Sequence, residues 1–195
     1  MILRTDALAL MESWTVSDSL RKHMLSVEGA MRAYAALHGE DVELWGLAGL
    51  MHDFDYERLP NNAHLADQEH PAEGVRVLRG LGYPEEVLQA ILGHAQYTGV
   101  ARETRMARAL FAVDEMCGLI TACALVRPSR SVHDLEASSV KKKMKDKAFA
   151  RGVSREDIAL GAQELGVELD AHIDFVIRAL RDRADLLSLG GGSPT

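Results

Sequence analysis

Apolar residues return every three or four positions along almost the whole chain, and no stretch alternates apolar with polar in the β-branched manner of a strand. That period restricts the fold to helices. Leu20, Met24, Val27, Met31 and Tyr34 form one stripe, ending near Gly39. Glu40 to Met51 is apolar on nearly every side (Leu44, Trp45, Leu47, Ala48, Leu50, Met51), which predicts a buried central helix. Pro60-Asn61-Asn62 marks a loop, and Pro71 and Pro84 each suit the opening of a helix. Glu103 to Val126 predicts a long apolar helix, and Ala137 to Ala150 a basic one with Val140, Met144 and Ala148 inward. Thr5 is expected to cap a short helix over Asp6 to Glu12, and Ser154 with Asp157 makes a capping box. A last helix is predicted over Glu168 to Leu187. The expectation is an all-α fold of seven to nine helices in one domain over 1–188, followed by a flexible Gly-rich tail over 189–195.

Composition narrows the function classes. At 195 residues the chain has the length of one ordinary domain. No run approaches the ~20 apolar residues that cross a bilayer. The first six residues, Met1 to Asp6, reach charge without a signal-like apolar core, so a cytoplasmic protein is expected. Cys117 and Cys123, six apart on an apolar helix, fall on opposite faces, which excludes a disulfide scaffold. A net charge of −7 excludes a general nucleic-acid binder. The charge is nevertheless uneven: Arg127 to Arg155 carries nine basic residues against three acidic ones, and five of the six lysines lie between Lys141 and Lys147. Lys141/Lys145 and Lys143/Lys147 are like-charge i,i+4 pairs, each unfavourable by ~0.2–0.5 kcal/mol. A small anionic ligand held by Arg127, Arg130, Lys141, Lys142 and Lys145 is one reading of that patch, and a solvated face is the other.

Polar residues break the apolar faces at separated places. His23 borders the inward stripe of its helix, His94 continues the stripe Val87, Ile91, and Asp114 lies on the apolar side of the long helix, after Leu110 and Phe111 and before Cys117. His52-Asp53 terminates the most apolar helix of all, where an unpaired carboxylate would have to protonate or find a cation. Helices that point imidazoles and carboxylates into one bundle core build metal sites in this way. The second His-Asp pair, His133-Asp134, sits in a polar stretch and reads as a surface loop, while His38, His64 and His172 read as helix-end, loop and surface or inter-helix residues. Asp55 and Glu57, just past the first pair, are candidates for orienting water or a ligand.

The order His23 … His52-Asp53 … His70 … His94 … Asp114 resembles the HD superfamily of metal-dependent phosphohydrolases. The surrounding blocks carry the resemblance as well: Leu20 to Leu25, Gly49 to Glu57, Glu69 to Gly74, and Val113-Asp114-Glu115, with Thr121 to Gly152 similar to the small single-domain predicted HD hydrolases. The similarity spans roughly 15–155 of the sequence. It implies a helical domain of the HD type in which His23, His52, Asp53 and Asp114 hold one divalent ion. His70 and His94 would add a second, with Asp53 between the two. Four imidazoles and two carboxylates suit Fe, Mn, Zn, Ni or Co better than Mg or Ca. The implied activity is hydrolysis of a phosphate ester by metal-activated water, with Asp53, Asp55 and Glu57 as catalytic candidates. The chain departs from the cyclic-dinucleotide phosphodiesterases of the superfamily: the expected lysine is missing from Phe54-Asp55-Tyr56, Ala95 follows His94, and Gly82-Tyr83-Pro84 precedes it. Two further readings stay open. The same ligands serve a di-iron oxygenase in a few relatives, such as myo-inositol oxygenase, and a metal can staple a non-catalytic binding module. The expected partner is a small anionic phosphorylated substrate, with no nucleic-acid polymer, no membrane, and a homodimer left open.

Overall fold

The structure, a computed structural model, describes residues 2–191, which form nine α-helices and no strand among the described residues. No described helix is long and apolar enough to cross a membrane. The chain falls into two compact units, Met1–Phe111 and Ala112–Thr195. Periodicity reports which face of a helix is buried, but not which other helices cover it.

The first unit holds α1 (Arg4–Trp14), α2 (Asp18–His38), α3 (Val42–Met51), α4 (Ala72–Gly80), α5 (Glu85–His94) and the start of α6 (Arg105–Leu125). A single 3-10 turn, Gln96–Thr98, follows α5. The helix α3 is the central one that its apolar sequence predicts: every residue from Trp45 to Met51 is buried, and it packs against α1, α2 and α5. Asp41 caps its start by accepting from the N–H groups of Glu43 and Leu44 at 2.9 and 3.0 Å. Two glycines let α2 come close. A Cβ on Gly49 would stand 2.9 Å from the backbone of Glu28, and one on Gly46 would stand 2.7 Å from Arg32 Nε.

That approach buries Glu28 completely. Its carboxylate accepts from Arg4 Nε and Nη2 at 2.6 and 2.8 Å and from Arg32 Nε at 2.9 Å. Arg32 in turn reaches Glu43 through two bonds of 2.7 Å. Hydrogen bonding to Glu28 raises the Arg4 guanidinium above its usual range. The helix α1 begins at Arg4 without a side-chain cap, so Thr5 does not play the capping role expected of it.

The second unit holds the remainder of α6 with α7 (Ala137–Met144), α8 (Arg155–Leu165) and α9 (Leu169–Arg181). Ser154 caps α8 by accepting from Asp157 N–H, as predicted. A Cβ on Gly161 would stand 2.7 Å from Ala112 Cα, so α8 lies directly on α6. The basic helix is shorter than its apolar period suggests. It stops at Met144, Ala148 is exposed, and the Asp146 carboxylate accepts from Ala148 N–H at 3.0 Å to form a turn. Accumulating like charge over Lys141 to Lys147 disfavours further helix. The last helix likewise ends at Arg181, with turns over 182–188. Of the stretch read as a tail, Leu189 is buried, its carbonyl accepts from Val132 N–H at 2.9 Å, and Gly190 forms a bridge with Ser131; residues 192–195 lie outside the described residues.

His172 is fully buried on α9, and its Nε2–H donates to the Ala112 carbonyl at 2.8 Å. It is therefore the inter-helix residue of the two alternatives. Burial lowers its pKa from the ordinary 6.5, because a charged ring there loses its hydration. The unfolded chain then binds the extra proton, so His172 stabilises the fold above 6.5 and that contribution fades as pH falls through the depressed value. Urea unfolding at about pH 7.5 and about pH 5.5 should show a smaller acid loss for His172→Gln, which keeps an N–H donor without the titration, than for the unaltered chain.

Candidate metal centre

Asp53 is the hub of a cluster that lies within the first unit. His52 and Asp53 are placed where α3 ends, His23 lies in the second turn of α2, His70 stands just ahead of α4, and His94 is the last residue of α5. Asp53 Oδ2 is 3.4 Å from His52 Nε2 and 3.8 Å from His23 Nε2. Its Oδ1 is 3.4 Å from His70 Nε2 and 3.5 Å from His94 Nε2. One carboxylate thus faces two pairs of imidazoles, one pair at each oxygen. The Nε2 atoms of His23 and His52 are themselves 3.3 Å apart.

The other ring nitrogens explain why all these atoms turn inward. His52 Nδ1–H donates to the Gly49 carbonyl at 2.8 Å, and His94 Nδ1–H donates to the Ile91 carbonyl. Each is the carbonyl three residues back, a bond that a histidine at a helix end makes with its own last turn. His70 Nδ1–H donates to Asp55 Oδ1 at 2.8 Å. Carbonyls and carboxylates only accept, so the Nδ1 proton is committed in all three rings and the neutral ring presents an Nε2 lone pair to Asp53. Lone pairs facing a carboxylate in a largely buried site repel unless a proton or a cation stands among them. Where protons take that place, burial works against ionisation of Asp53, yet positive charge on His52, hydrogen bonds from His52 and His94, and charge on His70 outweigh it and hold its carboxyl well below the usual carboxylate range. The donor set therefore fits a divalent metal with nitrogen affinity, and Asp53, His70 and His94 present ligand atoms within 4.8 Å of one another.

Asp55 is buried and makes no approach of its own to that hub. It accepts from His70 Nδ1–H on one oxygen and from Gly74 N–H on the other, at 2.8 Å each. A Cβ on Gly74 would stand 2.5 Å from the Asp55 carboxylate, so only glycine fits there. This is the carboxylate–histidine arrangement that orients a metal ligand and raises its basicity. Asp55→Asn should lower metal affinity about 10–100-fold while leaving the helical content intact, as read by metal titration beside circular dichroism.

The other candidates from the sequence are Glu57, Asp114 and the basic residues between 127 and 145. Glu57 is exposed and accepts from Val16 and Ser17 N–H at 3.0 and 2.9 Å, tying down the turn between α1 and α2. Asp114 lies half-buried on α6, in the second unit. Arg127 pairs with Asp134 at 2.9 Å and Lys141 with Asp170 at 2.7 Å, while Arg130, Lys142 and Lys145 are exposed; all five belong to the second unit. His133-Asp134 is exposed, as expected of a surface pair. His38 packs its ring against Tyr34 and Trp45.

Two residues of the site escape sequence reasoning. Asn61 is buried and donates through Nδ2 to the carbonyls of Leu65, Gln68 and His70, at 2.7, 2.9 and 2.9 Å, folding the loop that delivers His70. Tyr97 donates its hydroxyl to the His70 carbonyl at 3.0 Å, and His64 stacks on its ring with centroids 4.7 Å apart. Burial, helped by the charges of Asp53 and Asp55, pushes the Tyr97 phenol up to about 12, so it remains a donor at neutral pH. Only the turn residues at Asn61 give a sequence signal, and that signal reports a loop without its partners.

Imidazoles brought from four places around one shared carboxylate make a helical protein with a cluster that could hold a metal ion. The HD-domain family model matches residues 20–125, more than half of the chain, and the chain belongs to the HD-domain family, whose members are mostly metal-dependent phosphohydrolases. No curated protein and no solved structure matches the chain.

Proposed function

We propose that the chain is a metal-dependent phosphohydrolase that cleaves a phosphate ester of a small metabolite or nucleotide. The observation that carries this reading is Asp53, ionised and shared between two pairs of imidazoles whose Nε2 atoms converge on it. Fe, Mn, Zn, Ni or Co would suit such donors, and His23, His52, Asp53, His70 and His94 would hold two ions in this reading. Asp114 falls inside the span matched by the family, and we assign it the remaining carboxylate of the ligand set. Divalent ions there would supply a nucleophilic water at neutral pH and offset phosphate charge.

The protein's own part is positional. Asp55 holds His70 in the tautomer that leaves Nε2 available. Asn61 and Tyr97 fix the His70 backbone from two directions. Arg127, Arg130, Lys141, Lys142 and Lys145 are proposed to attract the anionic substrate.

The test is metal analysis of protein purified without added metal, paired with a phosphoester panel run without oxygen. The expected result is phosphate release that stops on chelation and returns with divalent metal. Oxygen uptake without phosphate release would replace this reading with an oxygenase. Melting on chelation with no turnover on any ester would replace it with a metal-stapled binding module.

A further inference from the structure

Segment 127–155 holds most of the chain's lysine, and part of that charge surrounds a cavity. The end of α6, the loop after it and α7 enclose about 470 Å³ within the second unit. One side is apolar and formed by Cys123, Val126, Pro128 and Leu135. Cys123 and Leu135 are buried, whereas Val126 is 58% exposed, a large apolar residue left at the mouth. Burial pushes the Cys123 thiol up to about 11, so it stays protonated and acts as apolar wall.

The other side is cationic, with Lys142, Lys143 and Arg127. Arg127 is already paired with Asp134. Among the described residues Lys142 has no carboxylate partner, unlike its neighbour Lys141, which bridges to Asp170. The Lys143 ammonium lies over the Phe149 ring, 4.6 Å from its centroid, which steadies the charge without neutralising it. Asp146 also lines the cavity and keeps its negative charge while its Oδ1 accepts from Ala148 N–H, so the three cations outnumber it and the lining stays net positive. Two unneutralised ammonium groups beside an apolar wall, in a cavity within the ~300–1,000 Å³ range of small-molecule sites, describe a ligand with a charged head and an apolar body.

We infer that this cavity binds a small phosphate monoester carrying an apolar body, with Lys142 and Lys143 on the dianionic head and Val126, Pro128 and Leu135 on the body. The inference gives shape to the anion-binding part of the proposed function, yet it stands whether or not the chain hydrolyses esters. It adds Lys143 to the ligand-facing set and the apolar wall, which charge counting alone does not reveal.

The test uses alkylphosphonates, whose carbon–phosphorus bond is not hydrolysed, titrated calorimetrically into the full chain. Each buried methylene is worth about fourfold in affinity, so hexylphosphonate should bind at least about tenfold tighter than methylphosphonate. Lys142→Ala combined with Lys143→Ala should weaken hexylphosphonate at least about tenfold, Lys147→Ala should leave it unchanged, and Asp53→Ala should retain it. Equal affinity for the two phosphonates would overturn the inference, since charge alone would then explain binding. Loss of binding in Asp53→Ala, with the double lysine variant unaffected, would assign the phosphonate to the metal centre and overturn it too, while leaving the hydrolase reading in place.

Discussion

Asp53→Ala should lose bound metal and phosphoester hydrolysis together, with activity falling by more than about a thousandfold. Four imidazoles converge on this carboxylate, and it would carry the negative charge that balances a metal held there. Its loss would remove the oxygen that each pair of imidazoles faces, so both pairs would lose their shared anionic ligand at once. Asp53→Asn is the sharper variant, because it keeps the shape and removes only the charge and one acceptor. Both should fail in metal analysis and in the esterase assay, whereas His133→Ala and Asp134→Ala should pass in both. If Asp53→Ala kept its metal, the convergence would be a core hydrogen-bond cluster and the hydrolase reading would fall.

Glu28→Ala should cost about 3–5 kcal/mol of stability, with the lower end favoured because the Arg4 side chain keeps a third of its surface in water. The carboxylate is completely buried between Arg4 and Arg32. Removing it leaves two guanidinium groups facing one another without their shared acceptor, and Arg32 retains only Glu43. Urea unfolding measures the loss directly. Glu28→Gln should recover part of it, since an amide oxygen still accepts while the charge is gone. A change below about 1 kcal/mol would show that water reaches the pair and screens it.

The candidate centre was legible because its residues violate a pattern. His23, His94 and the His52-Asp53 pair interrupt apolar faces, and an ionisable group on such a face needs a partner. His70 was legible only through the resemblance, since no period constrains a residue at a helix start. What stayed hidden depends on contacts that a sequence does not encode locally. Asn61 and Tyr97 act on backbone carbonyls, which every residue has, so nothing in their neighbours points to the partner. Asp55 and Glu57 look equivalent in sequence, two residues apart, yet one holds His70 and the other holds the turn after α1. The length of α7 was misread because Val140, Met144 and Ala148 continue a period that mutual repulsion among lysines interrupts.

The segment after Asp53 is moored to residues ahead of the family-matched span. Thr15 Oγ1 donates to the Phe54 carbonyl at 3.1 Å, Trp14 packs on the Phe54 ring with centroids 5.1 Å apart, and Arg58 donates to the carbonyls of Ser13 and Trp14. An evolutionary boundary near residue 20 is therefore not a mechanical one. Shortening the chain to that boundary would cut these moorings along with Arg4, and the strip that supports both Asp53 and Asp55 would come adrift from its foundation while every ligand side chain was still present.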